Sequence, residues 1–522
     1  MPDVPDPAPQ PRRSRRLLWI ALAVVALVVA VPVVLLVSSD GGSSGSDVGS
    51  ASSGSSAAAT KAAPALASRS DLRPPVPTIR RSVAGQDAGL IFVAPKKVFG
   101  APKRAGEQNG PLIMDGKGRV RWFLPLKAPE VAYDFRTQTY RGKPVLTYWQ
   151  GRAVSGTGRG VCVIRDTAYE LVKRVRFDGP GKADIHECKL TDRGTMLMTS
   201  YETVAGDERA KGGPKDGKIT EGVVKEIDVA TNKTLLEWHS LTGGVPITDS
   251  YEKLGGHSGP GYDYFHLNSV DVDTDGNLLV SARHTWTIYK LDRDTGRLMW
   301  KLGGKDSDFK MGKGAQTAWQ HDAISAGPDL IRTFDNAAGT TGNVRTYPYS
   351  RITWVRVDPE AKTARLVKSL KHPGADLSAG TQGNSQALAD GHLFVGWGSQ
   401  GVFSEFDARG RMLFDARVPR GYDSYRAYRD AWTGDPATKP AVTARRSGGS
   451  VVADVSWNGA TEVRRWELLG GASRGSLTSL GTTRWDGLDT ALRERSAARY
   501  VAVRALDAQG RTLRTSSTVT VR

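Results

Sequence analysis

Of the eight histidines in this chain, three head copies of one recurring pattern. His186, His266 and His321 each begin a short run that leads through a turn into an apolar, strand-like segment, and Asn384 begins a fourth. Neutral imidazole is a nucleophile and also moves protons near pH 7. Histidines gathered at one place are therefore equipped for nucleophilic and acid–base chemistry. Arg283 follows the strand of the His266 copy, and its planar guanidinium suits a tetrahedral oxyanion such as sulfate or phosphate. In a regular strand Arg283 and His284 face opposite ways, so only one of them is expected at a shared site. Asn268, two residues past His266 and so on its face, is a candidate neutral donor, and Asn384 a candidate substrate ligand through its register. His239, His257, His372 and His392 fall outside the pattern and read as surface or structural residues.

The elements that must position these residues are short strands. The four copies are His186-Glu-Cys-Lys-Leu-Thr-Asp-Arg-Gly194, His266-Leu-Asn-Ser-Val-Asp-Val-Asp-Thr-Asp-Gly276, His321-Asp-Ala-Ile-Ser-Ala-Gly327 and Asn384-Ser-Gln-Ala-Leu-Ala-Asp-Gly391. Their heads lie roughly 55 to 80 residues apart, about one propeller blade each with varying loops. Two weaker units precede them, at residues 112–124 and 144–177. Six four-stranded blades closing into a ring leave no open sheet edge. The expected architecture is all-β: a six-bladed β-propeller over residues 85–436. Inner strands line the axis of such a ring, so His186, His266 and His321 are expected to converge. Residues 440–522 read as a fibronectin-III-like β-sandwich, with strands near 451–457, 463–469 and 498–504 and no cluster of reactive groups.

The N-terminal residues set the compartment. A basic tail (1–16) precedes an apolar stretch (17–38) that as a helix spans roughly 30 Å, enough for a bilayer core. A Ser/Gly/Ala-rich linker (39–75) follows. Arg12, Arg13, Arg15 and Arg16 keep the N-terminus inside, which predicts a single-pass N-terminal transmembrane helix with an extracytoplasmic body. The alternative is a cleaved export signal, since Ser14-Arg15-Arg16-Leu17-Leu18 loosely fits a twin-arginine address. Either way the body leaves the cytoplasm, and outside it Cys162 and Cys188 are able to pair. The net charge of +18 carries no Lys/Arg run interleaved with aromatics, so it reads as solvated surface with no nucleic-acid partner. The P-loop pattern is absent, and so few thiols disfavour a structural zinc site.

Six segments, in order, resemble the motif series of the PAPS-independent arylsulfotransferase (ASST-like) family across about residues 89–436. They are Phe265-His-Leu-Asn-Ser269, Ser281-Ala-Arg-His284, Trp319-Gln-His-Asp322, Thr333-Phe-Asp-Asn336, Tyr349-Ser-Arg351 and Gly383-Asn-Ser-Gln386. The resemblance implies ping-pong transfer of a sulfuryl group from an aryl sulfate donor to a phenolic acceptor, with no cofactor. It implies that His321 becomes transiently sulfated, that His266 and Arg283 bind the sulfuryl oxygens, and that His186 serves the phenol oxygen as acid and base. The transmembrane start and the C-terminal sandwich depart from the family pattern. Two other readings stay open at this level. One is a cell-surface propeller that binds a ligand or protein without catalysis. The other is a histidine-ligated metal centre, disfavoured by the permanent charge of Arg283 and by the lack of an evident carboxylate behind the histidines.

Overall fold

In this computed structural model the described residues are 65–522, apart from 99–100, 103–105, 155, 178–181, 257–258, 339–345 and 375. The apolar stretch 17–38 and His257 lie outside them. Among the described residues no helix is long and apolar enough to cross a membrane.

Among the described residues, strands account for the regular structure apart from three short 3₁₀ turns. Among the described residues between 90 and 430, all strands but a small two-stranded pair assemble around six sheets, each built on four antiparallel strands. The fourth is representative, running Leu267–Val272, Leu278–Ala282, Thr287–Leu291, Leu298–Gly303 from inside to outside. The second, third, fifth and sixth begin with Val131–Tyr140, Cys188–Leu190, His321–Ser325 and Asn384–Ala387. The first sheet takes its innermost strand, Ala427–Asp430, from the far end of this region, paired antiparallel to Leu90–Val93. The inner strands touch their neighbours in succession, and Ala427–Asp430 touches those of both the second and the sixth sheets, so the ring closes.

The apolar runs show why these segments are strands. Leu278 and Val280 pack against the third sheet, while Leu279 between them packs against the fifth. Side chains alternate across a strand, so a sheet buried on both faces needs an unbroken apolar run. Six apolar clusters fill the six spaces between consecutive sheets in this way. The turn that separates inner from second strand needs a left-handed residue, which Gly276 (φ 84°) and Gly391 (φ 72°) provide in equivalent copies.

Residues 441–520 form the separate sandwich. Its sheets are a three-stranded one, starting with Ala441–Ser447, and a larger one around Arg465–Ser473 and Tyr500–Leu506, packed over Trp457, Trp466 and Trp485. The sandwich is fastened to the ring. Asn458 exchanges two hydrogen bonds with the Phe123 backbone (2.9 and 2.8 Å), and Tyr169 Oη donates to the Gly459 carbonyl (2.8 Å). The incoming N-terminal segment is held by both parts. Asp489 accepts from the amides of Ala67 (2.6 Å) and Ser68 (3.2 Å), while Leu72 is buried in the cluster between the sixth and first sheets.

Cys162 and Cys188 are bridged, with Cα atoms 5.8 Å apart. The bond ties the second sheet to the strand that begins two residues after His186. Leu279→Ala should leave a cavity between the fourth and fifth sheets and lower stability by about 2–5 kcal/mol, read from a lower urea midpoint. A change below about 1 kcal/mol would contradict this packing.

Candidate active site

His186, His266 and His321 stand at the starts of three inner strands and do converge. The rings of His186 and His266 are 5.3 Å apart, and Tyr425 bridges the group, 5.7 Å from His186 and 6.5 Å from His321. All three histidines are buried, at 2–5 % exposure.

Each ring is fixed at Nδ1 by a nearby acceptor. Asp184, two residues before His186, takes its Nδ1–H and its backbone N–H. Asp184 is itself held by the Gly158 amide (2.7 Å). Asp263, three residues before His266, does the same with distances of 2.6 and 3.0 Å. His266 has a left-handed backbone (φ 48°), which lets its own amide turn back to that carboxylate. A carboxylate behind imidazole fixes the tautomer and stabilises the protonated ring.

At His321 the acceptor is neutral. Asn336 gives both amide hydrogens to carbonyls, of Ala379 (2.8 Å) and Gln382 (3.0 Å), so its Oδ1 must face His321 Nδ1 at 2.8 Å. The Trp319 carbonyl lies 3.2 Å from the same nitrogen. Nδ1 therefore carries the hydrogen, and Nε2 holds the lone pair. That lone pair accepts the Gln382 backbone N–H at 3.2 Å. Burial, followed by the Arg283 charge, holds His321 well below the usual imidazole range, against the Asn336 hydrogen bond that favours the charged form. His321 is neutral at neutral pH.

Arg283 and His284 both reach this site, which corrects the expectation that only one would. The second strand ends at Ala282, so both residues lie in the turn beyond it and strand alternation no longer governs them. His284 Nδ1 donates to the Asp263 carbonyl (2.6 Å), and its Nε2 accepts from Arg283 Nη1 (2.9 Å). Arg283 also donates to the Gly380 carbonyl (3.1 Å) and lies over the Trp319 ring at 4.8 Å. Its Nε is buried without a partner among the described residues. Burial, opposed by Glu252 and Asp263, pulls the guanidinium down to about 10, so it stays charged at neutral pH.

The two asparagines are placed otherwise than expected. Asn268 donates to the Gln320 carbonyl (2.6 Å), leaving its buried Oδ1, an acceptor, without a partner among the described residues. Asn384 exchanges both amide groups with the Ala427 backbone (3.0 and 2.9 Å), joining the sixth sheet to the closing strand. Its place in the pattern serves ring closure. His239, His372 and His392 pair with acids elsewhere in the sheets.

Sequence reasoning missed Asp184, Asp263, Asn336, Gln382, Tyr201 and Tyr425. The Asp-x-His and Asp-x-x-His spacings were readable signals for the first two. Tyr201 lies 5.9 and 5.8 Å from the His186 and His266 rings. Burial raises both tyrosines well above their ordinary range, so they act only as protonated hydroxyls. They donate to the backbone carbonyls of Leu267 and Asn268.

Asp263, His266 and His284 bring their ligand atoms within 4.8 Å of one another, a donor set able to hold a metal ion. The carboxylate support that the sequence did not reveal is thus present. The Arg283 guanidinium, 2.9 Å from His284 Nε2, opposes a second cation there. A cleft of about 280 Å³ is lined in part by Glu252, Tyr262 and Asp263, beside this set.

Because the folded chain excludes a proton that the unfolded chain binds below about pH 6.5, His321 makes stability fall as pH drops through that value. Between pH 7.5 and 5.5, urea unfolding should show the wild type losing stability more steeply than His321→Gln, by up to about 1.4 kcal/mol per pH unit. Parallel profiles would contradict a buried neutral His321.

Comparison with known proteins bears on the same region. Residues 136–418, which include His186, His266, Arg283 and His321, match the family model described as Arylsulfotransferase (ASST). No curated protein matches the chain. Among solved structures, a protein of unknown function from Bacteroides caccae is 11 % identical, with 65 % of this chain and 98 % of that one covered and a TM-score of 0.37. A protein from Lactobacillus plantarum is 12 % identical, covering 83 % and 97 %, at 0.33. A virginiamycin B lyase from Staphylococcus aureus is 10 % identical, covering 72 % and 95 %, at 0.32. These three are too distant to bear on chemistry.

Proposed function

We propose that this chain, which belongs to the arylsulfotransferase (ASST) family, moves a sulfuryl group from an aryl sulfate ester to a phenol through a sulfohistidine at His321. The observation that carries the reading is the His321 tautomer: a neutral ring whose lone-pair nitrogen sits beside two carboxylate-backed histidines and a buried guanidinium. The six sheets are read as the six blades of a propeller, whose axis this cluster occupies.

His321 Nε2 attacks the sulfur, and the bond from sulfur to the aryl oxygen breaks. The ring becomes an N-sulfo imidazolium, keeping its Nδ1–H on Asn336. His186, entering the cycle with a proton stabilised by Asp184, gives that proton to the departing phenolate. The acceptor phenol then returns a proton to His186 as its oxygen attacks the sulfur, and His321 leaves neutral. Arg283 and His266 hold the sulfuryl oxygens, as fixed donors do for transferring phosphoryl groups. The Gln382 amide must yield its place at Nε2 to the donor, and then becomes available to a sulfuryl oxygen. Requirements for donor and acceptor end at an aryl leaving group and a phenolic hydroxyl.

The body is proposed to work outside the cytoplasm, anchored through residues 17–38 with the N-terminus inside. The Cys162–Cys188 bridge supports an oxidising compartment.

Turnover of 4-nitrophenyl sulfate with added phenol should be abolished in His321→Ala. Arg283→Ala should lower kcat/KM by roughly 10²–10³. Brief mixing with the ester followed by intact-mass measurement should show a gain of one sulfuryl group, mapping to His321. Equal rates in wild type and His321→Ala would end this reading.

A further inference from the structure

The sulfotransferase reading leaves unused a buried ionic cluster directly behind the histidines. Its centre is Arg426, 1 % exposed, immediately before the strand Ala427–Asp430 that closes the ring. Arg426 Nη1 donates to Asp134 Oδ1 (3.0 Å) and Glu187 Oε1 (3.2 Å). Nη2 donates to Glu187 Oε2 (3.1 Å) and to the Asn268 carbonyl (3.3 Å). Nε faces Asp322 Oδ1 at 3.6 Å.

The neighbours of those partners matter more than their number. Glu187 follows His186, Asn268 lies two residues after His266, and Asp322 follows His321. One guanidinium therefore hydrogen-bonds the chain beside His186 and His266, and faces the carboxylate beside His321 as an ion pair without a hydrogen bond, from a segment that belongs to none of their sheets. The acids are braced in turn. Glu187 also accepts from Arg136 (2.6 Å), Asp134 from Tyr428 Oη (2.8 Å), and Asp322 from the Ser385 amide (2.9 Å). Asp322 has a left-handed backbone (φ 53°), a conformation that persists only where its surroundings impose it. Tyr425, the residue before Arg426, packs against His186 and His321, so the pair meets the cluster on two sides.

We propose that Arg426 is a positioning residue for the transfer: it touches no substrate, and it fixes the separation of His186 from His321 through Glu187 and Asp322. Lysine would keep the charge but present a single point where the guanidinium presents a planar fork to several acceptors. A misplacement of about 1 Å between reacting groups costs on the order of 10²-fold in rate.

This rests on His321 being the nucleophile, and the test separates the two ideas. Arg426→Lys should lower kcat for 4-nitrophenyl sulfate about 10- to 100-fold while KM stays within about threefold. It should also shift the ring ¹⁵N signals of both His186 and His321. Arg429→Lys is the control, since Arg429 is similarly buried but binds Glu405, Gln86 and the Gly89 carbonyl, away from His186, His266 and His321. Should Arg426→Lys not fold, Glu187→Gln and Asp322→Asn each loosen one arm; the first should move the His186 signals and the second those of His321. Unmoved signals in these variants, or a kcat loss no greater than that of Arg429→Lys, would overturn the proposal. A wild type without turnover would defeat the sulfotransferase reading alone, and the ring signals would still judge Arg426.

Discussion

Ala427–Asp430 lies antiparallel to Leu90–Val93, so segments separated by most of the ring share one sheet. Before that pairing forms, the first sheet lacks its inner strand and presents an unsatisfied edge, and the inner strands have no common axis. After it forms, every blade is buried on both faces, and the heads of the inner strands point at one another. Non-local pairing of this kind costs loop-closure entropy that local hairpins do not. The apolar spaces between sheets offset that cost by removing side chains such as Leu279 and Phe394 from water on closure.

Within the ring, burial sets the protonation pattern. Two histidines have carboxylates behind them and one has an amide, and this single difference separates their roles. Asp184 and Asp263 accept from the Nδ1 of two rings and so fix their orientation and tautomer. Asn336 offers an acceptor without charge. With that neutral amide behind it, His321 is the histidine that burial and Arg283 keep uncharged.

Most of the ring was legible because its repeat is written in short apolar runs and Asp-Gly turns at regular distances. The three histidines stood out for the same reason: they share a register. What stayed hidden depended on geometry that no run of residues displays. Strand alternation put Arg283 and His284 on opposite faces, but the strand stops one residue earlier, and its end could not be read. Asn384 kept the register of the histidines for a different purpose, holding the closing strand at Ala427. Tyr425 escaped notice because its blade is assembled from both ends of the region, so no local copy of the pattern surrounds it. The acids Asp184 and Asp263 precede the heads of the repeat and fall outside the segments that align.

The seating of residues 67–72 gives the sandwich a mechanical part to play. Asp489 grips the chain by its amides at 67 and 68, and a few residues on, Leu72 is wedged into the toroid. Tension arriving along the polypeptide from residue 65 would thus be shared at once between two folded bodies, because Leu66 packs on the ring and the next two amides bind the sandwich. With Asn458 and Tyr169 riveting those bodies together, such a load would shear a broad seam and would not peel a single strand from the wheel.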